Sequence, residues 1–227
     1  QITNSLSIFL LIFMIKKIRL GVLISGGGNT LQNFIDQIEA GKLPATIQIV
    51  ISSKPNAAGL DRARKHNLCA AIIPYSDYND IEAFSHAITN ELDKHPIDLV
   101  VLAGFVHFYK IPEQYKGRVM NIHPGLIPAF CGHNYYGKKV HEAVINYGAK
   151  VSGCTVHFAD NVYDNGPVII QRAVPVLEDD TPDTLAARVF KEECEAYPEA
   201  IRLFAEGRLK IEGRKVRILN PSETSCL

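Results

Sequence analysis

Apolar runs alternate with amphipathic stretches from Ile18 almost to the end of the chain. Ile18–Ile24 is an apolar run interrupted only by Arg19, the pattern of a strand buried on both faces. A glycine-rich turn follows, and residues 31–40 then predict a helix. Residues 47–52 predict a second strand, and residues 57–66 a second helix with Leu60 and Ala63 at helical spacing. Residues 70–73 form a short third strand. Residues 81–94 carry Ile81, Phe84, Ile88 and Leu92 as one helical stripe. Residues 99–103 are a buried strand ending at Gly104. This βαβαβαβ order predicts an α/β architecture, a mostly parallel twisted sheet with helices on both faces. The second half is more mixed. Residues 119–122 form a strand stopped by Pro124. Strands at 151–158 and 168–174 are joined by the polar stretch 160–166. Residues 185–204 are helical, and 216–219 form a last strand. The simplest organisation is one domain over residues 16–219 with a tail at 220–227.

Residues 1–15 stand apart as an apolar extension outside the fold. Their run from Ile8 to Ile15 is shorter than the roughly 20 apolar residues of a membrane span. Lys16, Lys17 and Arg19 follow this run, whereas a signal peptide carries its charges in front. The plainest reading starts the native chain at Met14, with residues 1–13 as upstream sequence; the alternative is a targeting remnant.

Composition narrows the classes. The 227 residues hold 24 Lys plus Arg against 24 Asp plus Glu, a balance that argues against a protein that grips nucleic acid by charge. With 47% hydrophobic and 21% charged residues, the chain is globular, not disordered. Cys69, Cys131, Cys154, Cys194 and Cys226 are odd in number and lack a Cys-x-x-Cys pair, which suggests free thiols in a reducing compartment. Cys131, His133 and His141 also lack the paired spacing of a zinc site, so no metal is expected.

Three segments carry candidate chemistry. Ser25-Gly26-Gly27-Gly28-Asn29-Thr30 joins the first strand to the first helix, where backbone N–H groups can face an anion. A dinucleotide fingerprint would need Gly at position 31 and an acid after the second strand; Leu31 and Ser52-Ser53-Lys54 stand there. A Walker loop would need Gly-Lys-Ser/Thr. What remains is a small phosphorylated ligand or a plain capped turn. Asn121-Ile122-His123-Pro124 ends a strand whose alternation puts Asn121 and His123 on one face. An amide beside an imidazole can hold an oxyanion and move a proton, although a buried His is often only a satisfied polar residue. Asp160-Asn161-Val162-Tyr163-Asp164-Asn165-Gly166-Pro167 is an acidic loop that would, alone, read as a solvated turn.

Taken in order, Ile24-Ser25-Gly26-Gly27-Gly28-Asn29-Thr30-Leu31-Gln32, Leu102-Ala103-Gly104-Phe105, Asn121-Ile122-His123-Pro124 and Asp164-Asn165-Gly166-Pro167 resemble the phosphoribosylglycinamide formyltransferases, from about Ile18 to Leu209. The resemblance implies a Rossmann-like formyltransferase fold. It implies transfer of a formyl group from 10-formyltetrahydrofolate, as co-substrate, to the amine of glycinamide ribonucleotide in purine synthesis, without a metal. Asn121, His123 and Asp164 match the catalytic trio, with Asp164 expected to raise the pKa of His123. Gly28, Asn29, Thr30 and Leu31 match the phosphate loop, and Glu193 a contact to the ribonucleotide. Val106, His107, Phe108, Tyr109, Asn121, Asp160, Asn161, Val162, Tyr163 and Asp164 match the folate-lining segments. His157 is either a buried, hydrogen-bonded His or a support for the site. The chain departs from the family's common residues at Ile81, His107 and Cys194, which bears on contacts to the folate tail. The implied partners are small molecules, with no nucleic acid or membrane, and a homodimer is compatible. The implied compartment is the cytoplasm, or a plastid if residues 1–13 are a targeting remnant. The alternatives are a formyltetrahydrofolate hydrolase, another folate-dependent formyltransferase, or a non-catalytic phosphometabolite-binding protein.

Overall fold

The computed structural model describes residues 17–226; the apolar extension expected at 1–15 lies outside the described residues. Strands β1 (Ile18–Ile24), β2 (Ala45–Ser52), β3 (Ala70–Ile72), β4 (Leu99–Leu102) and β5 (Val119–His123) alternate with helices α1 (Asn29–Glu39), α2 (Gly59–Lys65) and α3 (Ile81–Leu92), β4 and β5 being joined without one. Helix α4 (Lys138–Tyr147), strands β6 (Val151–Phe158) and β7 (Val168–Pro175), helix α5 (Pro182–Ala205) and strands β8 (Leu209–Glu212) and β9 (Lys215–Ile218) complete the order. Among the described residues they build a nine-stranded sheet in the order β3-β2-β1-β4-β5-β6-β7-β9-β8.

The first five strands pair in parallel, as the alternation of strands and helices predicts. Beyond β5 the sheet changes direction: β6 is antiparallel to β5, and β7 to β6. Helix α4 and strand β8 are absent from the sequence expectation. Helix α4 shows why: only Val140, His141 and Val144 of its ten residues are buried, too sparse a stripe to stand out.

From Leu20 to Ile24 β1 is apolar because both of its faces are covered there; Arg19, near its start, pairs with Asp98 at 2.7 Å. Leu20, Val22 and Ile24 belong to one core with Leu31 and Phe34 of α1 and Leu185, Val189, Tyr197 and Ile201 of α5. Leu23 belongs to a second core with Phe84, Ile88 and Leu92 of α3. Tyr197, fully buried, donates its hydroxyl to the carbonyl of Met120 at 2.8 Å, so α5 is pinned beside the end of β5. The Asn33 side chain donates to the carbonyl of Cys194 at 2.9 Å and ties α1 to the same turn of α5.

Strand order reverses between β1 and β4. From β1 the chain moves outward through β2 to β3, then returns to β4 on the other side. Such a reversal leaves a crevice beyond the carboxyl ends of the two strands, where open α/β sheets bind ligands.

Candidate active site

A cleft of about 910 Å³ opens at that position. Its walls come from the turn after β1, the segment after β4, the end of β5, the loop between β6 and β7, and one face of α5. Ser25 holds the first two together: its hydroxyl lies 2.6 Å from that of Ser53 and accepts the N–H of Val106 at 3.1 Å. Ser25 and Ser53 are not among the expected site residues, and nothing in a strand-end serine marks it as a strut.

At one end lies the glycine loop. Gly28 caps α1 with φ 71°, and a Cβ there would meet the Cα of Gly59 at 2.5 Å. Glycine is therefore required both by the left-handed backbone and by the close approach of α2. Helix α1 starts at Asn29 with no side-chain cap, which leaves its first N–H groups free to bind an anion. Asn29 and Thr30 line the cleft. Gly28 and Leu31, both expected at the phosphate, do not. Gly28 is buried against α2, and the Leu31 side chain is fully buried in the core, so only its backbone N–H faces the helix start.

Deeper in the cleft, Asn121 and His123 project from β5 on one face, and the antiparallel partner of Asn121 is His157 on β6. His157 Nδ1 lies 2.9 Å from the carbonyl oxygen of Phe158. A carbonyl only accepts, so Nδ1 carries the proton and Nε2 is an acceptor in the neutral ring. That acceptor faces Asn121 Nδ2 at 3.2 Å, which fixes the orientation of the amide. The same Nδ2 donates to Asp164 Oδ1 at 3.3 Å. His157 thus supports Asn121 and also lies 3.7 Å from Asp164.

His123 is 2% exposed. Its Nε2 donates to the carbonyl of Phe130 at 2.9 Å, and its Nδ1 faces Asp164 Oδ2 at 3.5 Å. Phe130 sits at φ 48°, a left-handed conformation rare for a bulky residue, in the segment that brings its carbonyl to the imidazole. Gly125 makes room for the ring: a Cβ there would stand 2.9 Å from His123 Nε2. Burial pushes the His123 pKa below its ordinary value; the charge of Asp164 and the Phe130 carbonyl oppose this without overcoming it, and His157 adds to the lowering. This corrects the expectation of a raised pKa. Asp164 acts in the anticipated direction, but desolvation of the imidazolium outweighs it.

Asp164 stands at φ 49° and accepts the N–H of Gly132 at 2.8 Å. Burial alone would raise its pKa. The closeness of His157 and His123 and the hydrogen bond from the Gly132 N–H outweigh that and hold the carboxyl below the ordinary range. The trio therefore rests as a carboxylate, a neutral imidazole and an oriented amide.

Around these groups the cleft is aromatic on one side. Phe108 and Tyr163 lie with ring centroids 4.8 Å apart, and Tyr75 stacks on His107 at 4.5 Å. Val106, His107, Phe108, Tyr109, Asp160, Val162 and Tyr163 line it as expected. Asn161, also expected there, does not: its side chain clamps Ile111, accepting the N–H at 2.7 Å and donating to the carbonyl at 3.1 Å. It holds the two lining segments together instead. Tyr109 turns its hydroxyl away to Thr89 at 2.9 Å, and burial pushes that phenol up to about 12. Lys54, Tyr75 and His141 line the cleft without having been anticipated. His141 is buried, and its Nδ1 has no hydrogen-bond partner among the described residues.

Glu193 reaches the cleft from α5, and burial pushes its carboxyl up to about 7. Among the described residues no cluster of three His, Cys, Asp or Glu side chains is arranged to hold a metal ion. No helix among them is long and apolar enough to cross a membrane.

Residues 18–201, which carry every group just described, match the formyl transferase family. The chain belongs to that family. It is 38% identical to the phosphoribosylglycinamide formyltransferase of Escherichia coli over 192 residues, covering 84% of this chain and 88% of that one. It is 41% identical over 198 residues to the trifunctional purine biosynthetic protein adenosine-3 of Bos taurus, of which it spans 19%. Among solved structures it resembles glycinamide ribonucleotide transformylase 1 of Symbiobacterium toebii, with 45% identity, a TM-score of 0.84, and coverage of 90% of this chain and 95% of that one. As a formyl transferase, the chain has its trio, glycine loop and aromatic wall in one cleft.

Proposed function

We propose that this formyl transferase is a phosphoribosylglycinamide formyltransferase, carrying a formyl group from 10-formyltetrahydrofolate to the amine of glycinamide ribonucleotide in purine synthesis. The observation that carries the reading is the joining of Asn121, His123 and Asp164 to an anion-ready helix start within one cleft. The free N–H groups of α1 suit the substrate phosphate. Glu193, with no cation paired to it among the described residues, suits the hydroxyl and amine donors of the rest of that molecule. The apolar wall of Val106 with the rings of Phe108 and Tyr163 suits a flat heteroaromatic ring. The family likeness and the relatives' names support the same acceptor.

The amine attacks the formyl carbon, the carbonyl oxygen takes up negative charge, and the bond to N10 breaks as N10 gains a proton. Asn121 is aimed by His157 and stabilises the oxyanion by exchanging its long bond to Asp164 for one to the substrate oxygen. Such a donor commonly lowers the barrier by about 3–4 kcal/mol. Neutral His123 takes the amine proton at Nδ1, the ring nitrogen without a carbonyl partner, and returns it to N10. Asp164 beside Nδ1 stabilises the imidazolium between the two transfers.

The test is formyl transfer to glycinamide ribonucleotide by purified protein, with water as the competing acceptor. Transfer without added metal is expected. In Asn121→Ala the rate should fall about 100-fold or more while ribonucleotide affinity persists. Release of formate with no formylated ribonucleotide would replace this reading with a hydrolase.

A further inference from the structure

Arg62, on α2, is outside the catalytic trio and outside every motif that marks the site, yet its guanidinium is spent on the glycine loop. Nε donates to the carbonyl of Gly27 at 2.8 Å, and one terminal nitrogen donates to Asn29 Oδ1 at 2.9 Å. The other reaches Gln32 Oε1 at 3.3 Å, one turn into α1. A guanidinium has five donors and no acceptor, so the Asn29 atom that faces it is the oxygen. The amide's NH2 is therefore turned away from Arg62, on a residue that lines the cleft.

An anion site fails if a carbonyl or amide oxygen points at the anion. Gly27 and Asn29 each carry such an oxygen beside the free N–H groups of α1. Arg62 engages both. Gly28, at φ 71° with its Cα packed on Gly59, brings α2 close enough for this reach.

We propose that Arg62 is a positioning residue that turns the glycine loop into an all-donor receptor for a phosphate monoester, by binding the loop's two acceptors, Gly27 O and Asn29 Oδ1. Its specificity is for the phosphate of the acceptor substrate, and in that respect it rests on the function proposed above.

The experiment compares wild type, Arg62→Ala and Arg62→Lys on glycinamide ribonucleotide and on the same glycinamide riboside without phosphate. Direct binding of ribose 5-phosphate is measured by calorimetry in parallel. In Arg62→Ala the KM for the ribonucleotide should rise about 10- to 100-fold, the size expected for losing charge-assisted hydrogen bonds, with kcat within about threefold. The KM for the folate and kcat/KM for the riboside should stay at wild-type values. Arg62→Lys, which keeps the charge but cannot hold both acceptors in fork geometry, should recover only part of the affinity. Equal losses on ribonucleotide and riboside in both variants would make Arg62 a structural residue and overturn the proposal. So would wild-type affinity for ribose 5-phosphate in Arg62→Ala. The calorimetric arm does not need catalysis. Weakened ribose 5-phosphate binding in Arg62→Ala, with no formyl transfer by wild type, would sustain the role of Arg62 and remove the transferase reading instead.

Discussion

At the scale of single residues, the site works by setting two environments against each other around His123. Burial disfavours its imidazolium, and Asp164 at 3.5 Å favours it. The net lowering means that the resting imidazole is a base, as the proposed attack by the amine requires. Its acidic limb in a pH–rate profile should lie below the ordinary histidine value of about 6.5. Asp164→Asn keeps the shape but deletes the favourable charge. The His123 pKa should then fall further, the limb should move to lower pH, and the rate at neutral pH should drop about 100-fold or more, as at other charge-oriented histidines. An NMR titration of His123 in both proteins, beside the rate profiles, checks this; an unmoved pKa would remove Asp164 from the assignment. The candidate trio is legible in the sequence as residue types. The sign of the His123 shift is not, because it depends on how completely the chain around Phe130 and Gly125 encloses the ring.

At the scale of elements, the contact between α1 and α2 decides whether the anion end of the cleft exists. Gly28 combines a left-handed backbone with a 2.5 Å approach of its would-be Cβ to the Cα of Gly59. Backbone cannot retreat as a flexible side chain can. Gly28→Ala should cost about 2–4 kcal/mol from strain and displaced packing together. It should also weaken ribose 5-phosphate binding, since α1, α2 and Arg62 would separate. A thermal melt and a calorimetric titration read the two effects. A variant with wild-type melting would show that the loop adjusts cheaply. The glycine run is visible in the sequence; its partner Gly59, some thirty residues on, becomes meaningful only when α2 packs beside the loop.

At the scale of the whole molecule, the cleft makes folding stability depend on pH. Glu193 has an ordinary value of 4.5, raised in the folded protein to about 7 by burial alone. The folded state therefore holds this proton more tightly than the unfolded chain does. Its contribution is fully present below pH 4.5 and is lost as pH rises through about 7, at up to about 1.4 kcal/mol per pH unit between them. Glu193→Gln should melt at a higher temperature than wild type at pH 8 and converge with it near pH 5. Parallel melting curves across that range would show that the carboxylate is well solvated. His123 acts with the opposite sign: its lowered pKa makes the folded protein lose stability as pH falls below about 6.5.

The sequence by itself determined the parallel half of the sheet, because strands covered on both faces are dominated by apolar residues and their covering helices must show a stripe. It also marked Asn121 and His123, whose shared face follows from strand alternation alone. Only the tertiary structure decided what is set by contacts distant along the chain. The antiparallel pairing of β5 with β6 placed His157 beside Asn121, and strand periodicity carries no information about direction. The loop after β6 brought Asp164 to His123. The close approach of α2 to the glycine loop gave Arg62 its place. Leu31 and Asn161 show the converse: each belongs to a segment that reaches the cleft, but a side chain's direction is settled by packing. One is drawn into the core and the other into a clamp on Ile111.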